Sequence, residues 1–279
     1  MDEVMNLSLF QVTLALYAVG TIAYLIFLVS AHKGAAWAGR LFLALGFIAH
    51  FLTLLLRYIE AGHIPVVNLH ESLSFFAWLV VGFFLLLHFY YKVEIMGAFV
   101  APFALVLVIW AAALPQEIIP LPPALRSWWL PIHVTFAFLG DAIFALAFCA
   151  GVLYLIQERL VKSKRVGALS SRLPSLEVLD GINYRTLTIG FPLLTIGIVT
   201  GAVWAEYAWG SYWSWDPKET WSLITWLLYA ALLHQRLAIK WRGKKAAAMA
   251  VVGFGAVLFT FLGVNLLMQG LHTYAGWFG

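Results

Sequence analysis

The chain has 279 residues, 63% of them hydrophobic and 11% charged, with a mean hydropathy of +0.91. Soluble domains sit near about 45–50% apolar and about 25% charged, so this composition excludes an ordinary globular protein and leaves no room for a large soluble, nucleotide-binding or nucleic-acid-binding module. The net charge of +4 and the pI near 9.2 therefore read as membrane topology, not as affinity for nucleic acid.

A membrane-spanning helix needs about 20 apolar residues. Runs of that kind occur at about 8–31, 38–60, 72–91, 96–114, 131–157, 184–205, 218–239 and 246–269. The start, Met1-Asp2-Glu3, is acidic, which is wrong for a cleaved signal peptide, so the first run is expected to stay as a span. The single cysteine, Cys149, lies in the fifth run and cannot build a disulfide, a CxxC redox pair or a CxxCH haem attachment site. The connectors at 32–40, 92–95, 158–185 and 236–245 hold 14 of the 17 basic residues, with Arg57, Arg126 and Lys218 the exceptions. The positive-inside rule puts that basic set in the cytoplasm. The expectation is an all-α fold: a polytopic membrane helix bundle of about eight transmembrane helices, forming one domain over 1–279. Both termini then lie outside, with the segments 61–71, 115–132 and 206–217 and the tail from 270.

Polar groups are costly in a bilayer, so each one is a functional candidate. His133, after Trp128-Trp129-Leu130-Pro131, sits at the outer start of the fifth run, and His272 lies just past the eighth. Asn265, Gln269 and His272 are spaced i, i+4, i+7, which places all three on one helix face. His63 and His70 flank the 61–71 loop, His50 is near the middle of the second run, and His32 is in a cytoplasmic loop. His234 and His88 lie at similar depth toward the cytoplasmic side. Asp141 is one to two turns deeper than His133 and about 80° away in helical phase. Interhelical hydrogen bonding is the ordinary use of such residues and competes with ligation at every one of these positions.

The region 204–226 carries six of the thirteen tryptophans: Trp204, Trp209, Trp213, Trp215, Trp221 and Trp226. An interfacial belt usually draws one or two residues from each helix end, whereas this load falls on a single loop. A flat aromatic surface suits a large planar apolar ligand. Two outward histidines around such a shelf suit a tetrapyrrole, because two neutral imidazoles are the usual axial pair for haem iron. Asp216-Pro217-Lys218-Glu219 reads as N-cap, N1 proline and N3 glutamate, and Asn68-Leu-His-Glu71 has the same form.

Trp209-Gly-Ser-Tyr-Trp-Ser-Trp-Asp-Pro-Lys-Glu-Thr-Trp221 resembles the tryptophan-rich WWD signature of haem-handling proteins. Its continuation through His234-Gln-Arg236, the segment Asn68-Leu-His-Glu-Ser-Leu-Ser-Phe75 and the ending Gly263-Val-Asn-Leu-Leu-Met-Gln-Gly-Leu-His272-Thr-Tyr274 resemble the CcsA (ResC) family of System II cytochrome c biogenesis proteins. The likeness runs over most of the chain from about residue 65, with His70 standing where relatives often carry tyrosine. It implies haem delivery across the membrane and presentation to the CxxCH motif of apocytochrome c for thioether attachment. The chain would then be a subunit of a holocytochrome c synthase (cytochrome c haem lyase), acting with a CcsB (ResB)-like membrane partner. The resemblance maps His133 and His272 onto the outer axial pair and His234 onto the inner ligand. It assigns Trp209, Tyr212, Trp213, Trp215, Asp216 and Trp221 to the haem-binding loop. It further implies haem b as the cargo and the plasma (inner) membrane as the setting, with the active face extracytoplasmic. The partner of His234 stays open among His50, His88 and a CcsB histidine. Two other classes remain for the same residues: a bis-His b-type membrane electron carrier, and a transporter of an unrelated solute. The first needs histidine pairs at matched depth, and only His88 and His234 offer one. The second often shows inverted repeats and helices broken near the midplane, neither of which the sequence displays.

Overall fold

The computed structural model describes residues 2–121, 125–164, 167 and 169–271, apart from the side chains of residues 2–4. These residues form helices and connecting turns, with no strand among them. In chain order they are α1 (Asp2–Ser30), α2 (Lys33–Ala61), α3 (Leu69–Tyr91), a 3₁₀ turn (Glu94–Met96), α4 (Gly97–Ala112), α5 (Trp129–Lys162), α6 (Leu176–Trp209), α7 (Pro217–Ala238) and α8 (Lys244–Leu258). The last rod continues through a π turn (Phe259–Gly263) into α9 (Val264–Leu267). In hydrocarbon every backbone N–H and C=O needs an internal partner, which leaves the helix as the available form for apolar runs of this length.

The polytopic all-α bundle expected from composition is the observed architecture. Among the described residues seven helices are long and apolar enough to cross a membrane, and α7 is not in that set. Its 22 residues include Lys218, Glu219, His234, Gln235 and Arg236, and these dilute an otherwise apolar stretch. Two rods are longer than their apolar cores. α6 starts at Leu176, where the Ser175 side chain caps it by accepting from the Val178 N–H, and α5 runs on to Lys162, which pairs with Glu158 one turn back at 2.8 Å. At 34 residues each, α5 and α6 are roughly 51 Å long, so their ends project past a hydrocarbon core of about 30 Å.

The chain divides into two compact units. The first comprises Met1–Leu121 with Val166–Pro174, and contains α1 to α4. One end of it is tied by Arg57, buried near the end of α2. The guanidinium donates to the Glu71 carboxylate at 2.7 Å and to the carbonyls of Gln116 and Glu117 at 2.8 and 3.0 Å. Glu71 also accepts from the Val67 N–H at 2.8 Å, while its own N–H is capped by Asn68, as the N-cap/N3 spacing predicts. With side chains only 5% and 1% exposed, this pair is fully bonded, and loss of either partner would leave a buried charge uncompensated.

The second unit comprises Pro122–Arg165 with Ser175–Gly279. Its frame is α5 against α6. A Cβ added at Gly140 would lie 2.9 Å from the Leu194 nitrogen, and one added at Gly197 would lie 2.9 Å from the Ala137 nitrogen. The pairing steps backward along α5 as it steps forward along α6, so the helices are antiparallel, and glycine lets their backbones approach closely. At the other end, Arg236 of α7 holds Asp180 of α6 through two nitrogens at 3.0 and 2.9 Å. The Gly243 N–H, just before α8, donates to the same carboxylate at 2.9 Å.

Whether α7 crosses the bilayer decides whether the two termini share a side. In a Cys149→Ala background, Ser211→Cys should react with a membrane-impermeant maleimide from the outer face. Lys240→Cys should react only after the membrane is opened. Equal labelling of both positions from one side would show that α7 does not cross.

Candidate functional site

His133 lies in the second turn of α5, where Pro131 occupies an N-terminal position that needs no backbone donor. Its Nδ1 is 2.7 Å from the carbonyl oxygen of Gly197 on α6. A carbonyl only accepts, so Nδ1 carries the proton and the neutral ring bears its lone pair on Nε2. Gly201, one turn further along α6, makes room for the ring: a Cβ there would sit 2.6 Å from His133 Nδ1 and Cε1. The imidazole is nearly parallel to the Trp204 indole, with centroids 5.9 Å apart and 19° between planes. Trp204, 3% exposed, in turn meets Trp209 edge-on at 4.8 Å. The histidine and the first two tryptophans of the loop region therefore form one continuous aromatic group.

The loop between α6 and α7 is short and heavily bonded. Gly210 ends α6 in the left-handed region, φ 75°, and its N–H returns to the Glu206 carbonyl. Trp215 is also left-handed, φ 60°, a conformation uncommon for a bulky side chain, and its ring is 69% exposed. Trp213 meets it at right angles with centroids 5.7 Å apart. The indole N–H of Trp213 is buried and has no hydrogen-bond partner among the described residues. Tyr212 is exposed, and Trp221 packs on Phe259 of the π turn at 4.2 Å.

Asp216 and Glu219 form the expected capping box. Glu219 accepts from the N–H groups of Ser214 at 2.8 Å and Asp216 at 3.2 Å, and Asp216 Oδ2 accepts from Lys218 N–H at 3.1 Å. The second oxygen of Asp216, Oδ1, accepts from the N–H of Leu271 at 2.7 Å, so chain beyond the last helix is held against the loop.

Residues 66–272 match the family described as Cytochrome C assembly protein. The chain belongs to the cytochrome c assembly protein family. The "Cytochrome c biogenesis protein CcsA" of Pyropia yezoensis is 40% identical, over 98% of this chain and 99% of its own. The protein of that name from Parasynechococcus marenigrum is 44% identical over 81% and 82%, and that of Chlamydomonas reinhardtii is 46% identical over 80% and 64%. A solved structure titled "Cytochrome c Heme Lyase CcmF" superposes with a TM-score of 0.70 at 18% identity. The match covers 97% of this chain, which spans about half (48%) of that one, and it bears on the fold alone. The stretch matched to the assembly family contains His133, the tryptophan loop and His234, and it ends at His272.

His272 itself lies outside the described residues. The helical face expected for Asn265, Gln269 and His272 does not form: α9 stops at Leu267, Met268 is extended (φ −121°, ψ 144°), and Gln269 is therefore off the helix. A π turn just before α9 also shifts the helical phase ahead of Asn265. Asn265 is buried, bonded to the Phe261 carbonyl and to Lys218 Nζ. His234 is exposed on α7, on the side away from buried Arg236. His32 is exposed between α1 and α2, and four other histidines are held by side-chain hydrogen bonds within the first unit. His50 has Tyr17 at 3.3 Å and Ser74 at 2.7 Å on its two nitrogens, and His63 has the carbonyls of Ile64 and Ile119 at 3.1 and 3.2 Å. His70 donates to the Ala111 carbonyl at 2.8 Å, and His88 Nε2 takes an N–H from Arg40 at 2.9 Å. Gly197 and Gly201, which orient His133, were not among the residues expected from sequence. Their GxxxG spacing was the available signal.

Glu219 is the brace of the loop. In Glu219→Ala the Ser214 and Asp216 N–H groups lose their acceptor, at a cost of about 1–2 kcal/mol. Hydrogen exchange at these two amides should accelerate roughly tenfold, each ~1.4 kcal/mol being one decade. Exchange in the interior of α7 should stay unchanged.

Proposed function

We propose that this member of the family carries haem b across the plasma (inner) membrane and presents it, on the extracytoplasmic His133 face, to apocytochrome c. The coarse role, cytochrome c maturation, accords with the family and with the names of its relatives. The observation that carries the finer reading is the His133–Gly197 hydrogen bond, which commits the imidazole to the tautomer with its lone pair on Nε2. Fixing a histidine through its other nitrogen is the usual second-shell device at metal sites. The aromatic group from Trp204 through Trp209, with the loop bearing Tyr212, Trp213, Trp215, Asp216 and Trp221, supplies an apolar surface for the macrocycle.

In this reading His272 is the second axial ligand, and the Leu271 anchor at Asp216 supports its approach to the loop. Haem enters near His234, whose exposed position on α7 suits a ligand shared with a second protein. His50 is bonded through both ring nitrogens within the first unit, and we take a CcsB-like partner as the source of the other inner ligand. At the outer site each cysteine of a CxxCH motif adds across a haem vinyl group. A C–S bond forms, the vinyl π bond is lost, and the thiol proton passes to the neighbouring vinyl carbon, with no net oxidation. Holding the vinyls beside the two thiols makes this addition effectively intramolecular, so no strong acid or base is required of the chain. The chain then acts as a holocytochrome c synthase subunit.

The reading is tested on the full chain purified with a CcsB-like partner from haem-replete cells. His133→Gly combined with His272→Gly should abolish haem retained at the outer site, read as loss of its Soret absorbance. Gly201→Ala, which pushes a methyl group into the His133 ring, should weaken retention about tenfold, as second-shell changes typically do. An unchanged haem spectrum in the double variant would overturn the assignment.

A further inference from the structure

We propose that Asp216 is a positioning residue for the axial histidine at 272, through a carboxylate that holds the preceding residue against the tryptophan loop. The proposal rests on the haem reading above and specifies how that site is assembled.

Capping α7 requires one acceptor oxygen, and Ser, Thr, Asn or Asp can supply it. Asp216 uses Oδ2 for this, accepting from the Lys218 N–H at 3.1 Å. Its other oxygen bonds a segment 55 residues away, the N–H of Leu271 at 2.7 Å, which the cap does not explain. The carboxylate is buried, 7% exposed, and the Asp216 N–H is itself bound by Glu219, so the side chain cannot turn away without releasing the cap. N–H bonds to an ionised acceptor are roughly twice as strong as neutral ones.

The partner segment is shaped for this contact. The rod ends at Leu267, and Met268 turns the chain out of helical geometry, as the approach to the loop requires. Gly270 then passes so close to Asp216 that a Cβ would overlap Oδ1 and come within 3.1 Å of Asp216 Cγ and Pro217 Cδ. Only glycine permits that approach. Consecutive Cα atoms are about 3.8 Å apart, so anchoring residue 271 restricts where the next side chain begins. Asp216 thus acts on the haem site through the backbone that carries His272.

The test uses the full chain co-expressed with a CcsB-like partner, purified from haem-replete cells. Absorption spectra are taken for wild type, Asp216→Asn and Gly270→Ala, with and without added imidazole. Asparagine keeps a good N-cap but offers one oxygen instead of two, and Gly270→Ala leaves Asp216 unaltered. The two variants therefore share only the weakened anchor. With six-coordinate low-spin haem present in wild type, both variants should retain haem but convert to the high-spin form, and imidazole should restore the low-spin bands. Absence of haem from the wild-type complex would overturn the underlying reading, and this proposal with it. A low-spin wild type with unchanged spectra in either variant would overturn the positioning role alone. So would high-spin variants that imidazole does not restore, loss of all haem, or failure of both variants to assemble, since those results make Asp216 a support of the whole fold.

Discussion

The close approach of α5 and α6 is the constraint on which the His133–tryptophan arrangement depends. Glycine at 140 and 197 lets one backbone pass within contact of the other, and that spacing brings the Gly197 carbonyl to His133 Nδ1. Gly201 completes the arrangement by leaving the ring somewhere to lie. Bilayer helices lack the hydrophobic drive that packs soluble ones, so tight backbone approach and a specific hydrogen bond carry more of the organisation. One contact thereby fixes the helix pair, the tautomer and the stacking of imidazole on Trp204.

Two carboxylate nodes then locate α7 relative to that pair. At one end, Asp180 gathers Arg236 and the start of α8. At the other end, Asp216 and Glu219 bind the start of α7, the tryptophan loop and the chain after α9. Ionised side chains are expensive at these depths unless fully bonded, and both nodes are. The rods are therefore held at their ends by charge-assisted bonds and along their length by packing, as in the 3.6 Å face-to-face contact of Phe144 with Tyr229.

Much of this is legible in the sequence. The apolar runs locate the rods, and the spacings at Asn68–Glu71 and Asp216–Glu219 foretell both caps. Helix ends are less legible where polar residues extend a rod: α6 begins eight residues before its apolar run because Ser175 caps a turn bearing Glu177 and Asp180. The face drawn through Asn265, Gln269 and His272 assumed a continuing helix. Gly270 was the signal against it, since glycine commonly follows a helix end. The GxxxG at 197–201 marks a close helix contact but cannot say which helix answers it, because the partner is set by tertiary packing. The tautomer of His133 is legible only once the Gly197 carbonyl is placed beside it. The histidines separate on the same ground: residue type is common to all, while the bonds at His50, His63, His70 and His88 distinguish them from an exposed His234.

On the proposed function, haem held at the His133 face is handed to a CxxCH motif. The most direct test of that step is a single-turnover transfer with the haem-loaded complex of the full chain and a CcsB-like partner. A reduced apocytochrome peptide containing CxxCH is added, and the haem is followed by its pyridine haemochrome spectrum. Haem should leave the complex and become covalently bound to the peptide, with the shift that saturation of the vinyl groups produces. Haem that stays non-covalent on the complex, while cycling reversibly with a quinol, would contradict it.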